Sequence, residues 1–477
     1  MTIVHTPCGA VQGRVVRGGN HSLEVRHFGG VPYASARRFG LPQPHATWDG
    51  DRDCTQPGAA PVQRSDGLDL VPDMSPAATT EDCLTAEIWA PVGIYHRPVL
   101  VWIPGGSFRV GGAGLDTYSG RHLAADGDVV VVGLNYRLGL LGFLNAPGVP
   151  SNLGLRDLLA GLAWVRDNIA AFGGDPSRIT VMGESAGAGA IIHLMCDPTF
   201  AVQGAIVLSG SPTTTQTADV ATAVATRVLE LAGVDTAAAL LDCPADAILD
   251  LQSTALGDLM PTAGMMPFHP WVDGDVVPIS PVNAIATDAM APVRLVVCTT
   301  AHEMELFRNM VAGIPRHYAL AMLTPKAQPL GIDAEGVSRG LTACGDDLVT
   351  AVADIDLQMP AWLLARSHAR RGLPVWRASF SWESAAHGAC HAVDLPFHFG
   401  TLDIASWREF AAAPPGESDL LSSHIRTAWT SFATTGTPTC DAISAWPQFG
   451  DTAQVVDLGH HIAVVVDPHE TRLRSWL

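Results

Sequence analysis

Gly183-Glu184-Ser185-Ala186-Gly187 sets a serine between two glycines, directly after the apolar run Ile179-Thr180-Val181-Met182 and before the small-residue stretch from Ala188 to Met195. A strand, a sharp turn and a helix in that order lift a serine hydroxyl to the top of a sheet and leave the next amide free for an oxyanion. Ser185 is therefore a candidate nucleophile and Ala186 a candidate oxyanion donor. An ordinary tight turn would carry the same five residues, so their weight comes from the surrounding chain. Upstream, Trp102-Ile103-Pro104-Gly105-Gly106-Ser107-Phe108 ends an apolar run in small residues. The uncovered amides of Gly106 and Ser107 could complete an oxyanion hole, with Gly105 beside the substrate. A plain glycine-rich turn is the alternative.

These residues need a scaffold that brings them to one place. His96–Pro104 and Asp128–Asn135 are short, β-branched, nearly continuous apolar runs, as expected of strands covered on both faces. Leu155, Leu158, Leu159, Leu162, Val165 and Ile169 recur at helical spacing, after a capping Ser151-Asn152 and before Gly173-Gly174. Further strands are expected at Ala205–Ser209 and Val293–Cys298. Alternating strands and helices imply crossovers, hence a mostly parallel sheet. Ligands of such sheets bind at the carboxyl ends of the strands, where Ser185 would stand.

Composition narrows the rest. With 477 residues, 47% of them hydrophobic and 16% charged, the chain can bury a large core. No linker, repeat or low-complexity run divides it, so one α/β domain over residues 1–477 is expected. A net charge of −19 argues against nucleic acid and anionic membrane surfaces as partners. Lys326 is the only lysine. No apolar run reaches the length of a membrane span, and the N-terminus lacks the pattern of a secretory signal. Nine cysteines at irregular spacings suggest buried small residues rather than a disulfide framework or zinc site, and a cytoplasmic protein is expected.

Several stretches together resemble the carboxylesterase/cholinesterase family of α/β-hydrolases, the type B carboxylesterases. They are Gly30-Val31-Pro32-Tyr33-Ala34, Glu81-Asp82-Cys83-Leu84, Asn135-Tyr136-Arg137-Leu138-Gly139, Phe172-Gly173-Gly174-Asp175-Pro176, the Ser185 pentapeptide, Val272-Asp273-Gly274-Asp275 and Asp394-Leu395-Pro396-Phe397. The likeness spans roughly residues 10 to 450 and is nearest to bacterial para-nitrobenzyl-type esterases. It implies an α/β-hydrolase fold: a twisted, mostly parallel sheet flanked by helices. Helical insertions at about 211–290 and 304–370 would form a lid and shape the pocket.

The resemblance also implies which residues act. Glu303 aligns with the family's acid, although His302-Glu303-Met304 stands where relatives carry Asp-Glu-Gly and Glu305 is a nearby rival. His391 occupies the position of the family's histidine; His387 and His398 are out of register. Glu184 would line the gorge and tune its electrostatics, and Met265, Met266 and Phe268 could form an apolar wall or equally belong to the core. The implied reaction is serine hydrolysis of small to medium carboxylic esters without metal or organic cofactor. Its partner would be a small-molecule ester, the chain being monomer or homodimer. A related acyl-transfer enzyme (thioesterase, amidase or polyester hydrolase) and a silent binding protein on the same fold are the alternatives. By the same resemblance Cys83 is expected as a free thiol, and Arg38–Glu81 and Arg137–Asp175 as ion pairs that brace loops. An unperturbed His391 would make activity fall on acidification through about pH 6 to 7.

Overall fold

The short β-branched runs form the middle of one large sheet in the computed structural model, which describes residues 1–19, 22–65, 70–93, 95–264, 266–311 and 313–477. Met265 lies outside the described residues. The sheet has 13 strands among the described residues. They are β1 (Thr2–Thr6), β2 (Gly9–Gly18), β3 (Leu23–Pro32), β4 (Asp51–Asp53), β5 (Thr85–Pro91), β6 (Arg97–Ile103), β7 (Val130–Leu134), β8 (Gly174–Glu184), β9 (Gly204–Leu208), β10 (Arg294–Thr300), β11 (Val375–Phe380), β12 (Gln454–Leu458) and β13 (Ile462–Val466). The order is β1-β2-β3-β5-β7-β6-β8-β9-β10-β11-β12-β13, with β4 beside β2. From β7 to β12 the neighbours run parallel, while β1, β2, β3 and β5 form an antiparallel wing and β13 an antiparallel edge.

Alternate residues of the central strands feed two cores, which is why the runs read as continuously apolar. Val99, Val101 and Ile103 of β6 pack into one, and Leu100 and Trp102 into the other. The first face is covered by α1 (Leu153–Asn168) and α2 (Ala186–Leu194), the helix that follows Ser185. Asn152 enters α1 in a left-handed conformation (φ 48°) and does not cap it. Its side chain instead donates to the Trp271 carbonyl and to Asp273 Oδ2, both at 2.8 Å, corrected from the expected cap. That contact ties the Val272–Asp275 motif to α1.

Residues 211–290 carry α3 (Ala218–Ala232) and α4 (Ala245–Ala263); residues 304–370 carry α5 (Arg316–Ala327), α6 (Ala334–Ala343), α7 (Leu348–Ala353) and α8 (Met359–Arg370). The last is a flanking helix of the sheet, packed on β10 and β11. The continuous helix Leu348–Arg370 is long and apolar enough to cross a bilayer, but its most apolar window is 83% buried within the fold. The opposite sheet face is covered by α9 (Glu417–Thr435), and the chain closes with α10 (Glu470–Arg474).

The expected brace between Arg38 and Glu81 is present, Nε lying 2.9 Å from Oε2. Arg137 does not pair with Asp175. It grips Asp157 of α1 with two nitrogens at 2.6 and 2.8 Å, and Asp175 pairs with Arg178 at 2.8 Å. Asp175 opens a long strand and reaches the residue three places on; Asp157 sits on the helix under the Arg137 loop. All nine cysteines, Cys83 among them, are free thiols.

Candidate active site

β8 ends at Glu184, α2 begins at Ala186, and Ser185 between them has φ 52° and ψ −121°, a strained setting for a residue with a side chain. Its flanking glycines serve space rather than dihedral freedom. A Cβ on Gly183 would lie 2.7 Å from the Gly187 carbonyl carbon, and one on Gly187 would collide with the Ile103 carbonyl oxygen. Two hydrogen bonds hold the turn: Ser185 N to the Leu208 carbonyl at 2.9 Å and Gly189 N to the Ser185 carbonyl at 2.8 Å.

Three distant segments meet at this serine. His391 Nε2 lies 2.9 Å from Ser185 Oγ, and His391 Nδ1 lies 2.7 Å from Glu303 Oε2. The other oxygen of Glu303 accepts from Ser209 Oγ at 2.6 Å and from Thr300 N at 2.9 Å, and the whole residue is buried. A carboxylate on Nδ1 keeps the proton there and leaves Nε2 to accept the serine proton. Glu305 is turned to Arg308 at 2.6 and 2.8 Å. His398 binds Asp394 at 2.8 Å and accepts from Trp429 Nε1 at 2.9 Å, while His387 stacks on Phe410. None of these three reaches Ser185.

The loop after β6 lies against the same serine. A Cβ on Gly105 would be 3.2 Å from Ser185 Cβ and 2.7 Å from Glu184, so only glycine leaves room there. Gly106, Ser107 and Phe108 all take positive φ (111°, 56° and 56°), a contour fixed by Tyr136 Oη on the Pro104 carbonyl at 3.0 Å and Gly139 N on the Phe108 carbonyl at 2.6 Å. Among the described residues nothing accepts from the amides of Gly106, Ser107 or Ala186. Amides left unpaired beside a hydroxyl–imidazole pair suit a developing oxyanion.

Glu184 points at the imidazole from the other side. Its Oε1 lies 3.2 Å from His391 Nε2, close enough to attract the ring's charge but without hydrogen-bond geometry. Burial pushes the Glu184 carboxyl up, to about 8. For His391 burial works downward, but the negative charge of Glu184, Glu303 and Asp394 outweighs it and raises the imidazole to about 9. Phe268 is buried in the core that contains α2. Ser209 was legible only as the end of an apolar strand. A polar residue closing such a run at the end where ligands bind is the signal that could have marked it.

The arrangement can activate a serine, hold an oxyanion and protonate a leaving group. The Carboxylesterase family profile matches residues 1–322 and 335–476. The chain is 33% identical to the para-nitrobenzyl esterase of Bacillus subtilis over 98% of this chain and 97% of that one. It is 32% identical to the fumonisin B1 esterase of Sphingopyxis macrogoltabida over 96% of this chain and 86% of that one. Among solved structures, a thermophilic PNB esterase superposes with a TM-score of 0.88 at 32% identity, covering all of both chains. The carboxylesterase EST55 of Geobacillus stearothermophilus does so with a TM-score of 0.84 at 29% identity, again over 100% of each.

Proposed function

This chain belongs to the carboxylesterase family and hydrolyses carboxylic esters, and from that premise we propose that it works through an acyl-enzyme on Ser185. The observation that carries the reading is the hydrogen-bonded line Ser185–His391–Glu303 beside three unpaired amides. His391 Nε2 takes the hydroxyl proton as Oγ attacks the ester carbonyl, and Glu303 holds the ring and stabilises the imidazolium. The amides of Gly106, Ser107 and Ala186 hold the tetrahedral oxyanion. His391 then gives its proton to the alcohol oxygen, the C–O bond breaks, and the acyl group stays on Ser185. Water deprotonated by the same nitrogen releases the acid.

Small to medium carboxylic esters are the proposed substrates, by analogy with the para-nitrobenzyl esterase. The stretches 211–290 and 304–370 shape the pocket, a role supported by their starting directly after the carboxyl ends of β9 and β10, with α8 at the end of the second packed on the sheet. A cytoplasmic location is supported by nine thiols without a disulfide, and we assign the chain as monomer or homodimer.

The test is hydrolysis of para-nitrophenyl acetate and butyrate by the native protein beside Ser185→Ala, with a serine-directed organophosphonate read by intact mass. Native turnover with uptake of one phosphonyl group, both lost in the variant, is expected. A variant that still turns over or is still labelled would move the nucleophile elsewhere.

A further inference from the structure

α7 and α8 are joined by a single π-helical turn, Asp354–Gln358, wound into an otherwise continuous helix. Such turns sacrifice regular hydrogen bonding and recur at functional sites. An extra residue rotates everything after it by about 100°, since a helix has about 3.6 residues per turn. Here the turn delivers Gln358, fully buried, to the carboxyl end of β10. Gln358 Oε1 accepts from Thr299 Oγ1 at 2.8 Å, and its Nε2 donates to the Thr300 carbonyl at 2.7 Å. The amide between those anchors, Thr300 N–H, donates to Glu303 Oε1 at 2.9 Å.

The turn is itself clamped from the end of the chain. Asp354, buried at its start, accepts two hydrogen bonds from Arg472 at 2.8 Å and one from Trp476 Nε1 at 3.0 Å. Cys344 Sγ approaches the same carboxylate at 3.4 Å. Lys326 Nζ holds Asp356 on the outside of the turn at 2.7 Å.

We propose that Gln358 is a positioning residue for Glu303: it fixes the Thr299–Thr300 peptide that aims the carboxylate at His391, and α10 fixes Gln358 through Asp354. The inference rests on Glu303 being the acid of the triad. It also supplies what the local sequence lacks, because His302-Glu303-Met304 has no glycine to tighten its turn and the carboxylate is held from outside instead. Without Gln358 one of the two donors on Glu303 Oε1 loses its fixed direction. Misplacement of a reacting group by about 1 Å costs up to about a hundredfold in rate.

Gln358→Met keeps length and volume and removes both hydrogen bonds. The expected result is a kcat lower by about ten- to a hundredfold with KM nearly unchanged, since only orientation at the reacting centre is lost. The decisive comparison is a double-mutant cycle with Glu303→Gln. If Gln358 acts through Glu303, the double variant turns over no more slowly than Glu303→Gln alone. Losses that multiply would overturn the inference, as would a folded Gln358→Met with native kcat. Should Gln358→Met not fold, Thr299→Val removes one anchor at little cost in shape: a several-fold drop in kcat at constant KM supports the inference and native kcat overturns it. Native turnover by Glu303→Gln would instead sink the triad reading, a failure distinct from the others.

Discussion

Glu184 Oε1 stands 3.2 Å from His391 Nε2, the same nitrogen that meets Ser185 Oγ at 2.9 Å. In the proposed mechanism that nitrogen must be free of a proton to act as base, and it faces a group that favours the proton staying. His391 is raised to about 9, so the neutral imidazole is scarce near pH 7. The pH dependence of kcat/KM reports the free enzyme's base, and its acid limb is expected above pH 6.5 and extending toward 9, higher than the window of pH 6 to 7 read from the sequence. Glu184→Gln removes one of the raising charges, and its limb is expected to move down. Superimposable profiles for the two proteins would show that Glu184 does not act on the imidazole.

Ser209 Oγ donates to Glu303 Oε1 at 2.6 Å from the end of β9. Ser209→Ala leaves that oxygen with the Thr300 amide alone, and kcat is expected to fall by about tenfold. Steady-state kinetics on para-nitrophenyl butyrate give the answer; a change confined to KM would assign Ser209 to substrate binding.

Arg137 and Asp157 form an ion pair that is almost wholly out of water. Removing one partner strands the other, a loss of about 3 to 5 kcal/mol for buried pairs. Arg137→Ala is expected to lower the urea midpoint accordingly while the folded fraction keeps its turnover. Undiminished thermal stability with lost turnover would assign Arg137 to the chemistry.

Five histidines titrate low because they are buried: His122, His193, His269, His368 and His469 are each lowered to about 4. In the unfolded chain each takes a proton near pH 6.5. Between those values unfolding binds protons, so their stabilisation is complete above about pH 6.5 and is lost as pH falls toward 4. His391 and Glu184, both raised, have the opposite sign, but they are two groups against five. Scanning calorimetry should show Tm falling between pH 7 and pH 5; a constant Tm would mean that these side chains are wetter than the fold places them.

What the sequence disclosed follows from how local each signal is. The Ser185 turn, the runs His96–Pro104 and Asp128–Asn135 and the leucine spacing of α1 are written in consecutive or helically spaced residues, and each contains the element it implies. The fold's core was legible for that reason. Partners across the chain were not: the ion pair of Arg137 went to Asp157 rather than Asp175, because the choice depends on how α1 packs under a loop. Asn152 looked like a cap and became a tether to Trp271 and Asp273. No periodicity announces a π-turn, so Gln358 lay unmarked within the helical insertion expected at about 304–370. The antiparallel wing from β1 to β5 was equally silent, its exposed and buried residues mixing without a clean period.

The solitary lysine gains a use from its place. Lys326 is the one side-chain amine in 477 residues, and it rests on Asp356 of the π-turn. Within these 477 residues amine-reactive dyes and activated resins therefore find a single side chain to join, on the brace behind Glu303. A fluorophore installed there would sit behind the proposed acid, Glu303, without mutagenesis. Coupling to an amine-reactive support would tug on that same brace, so blocking Lys326 before immobilisation, or replacing it with Arg, should preserve turnover on the resin.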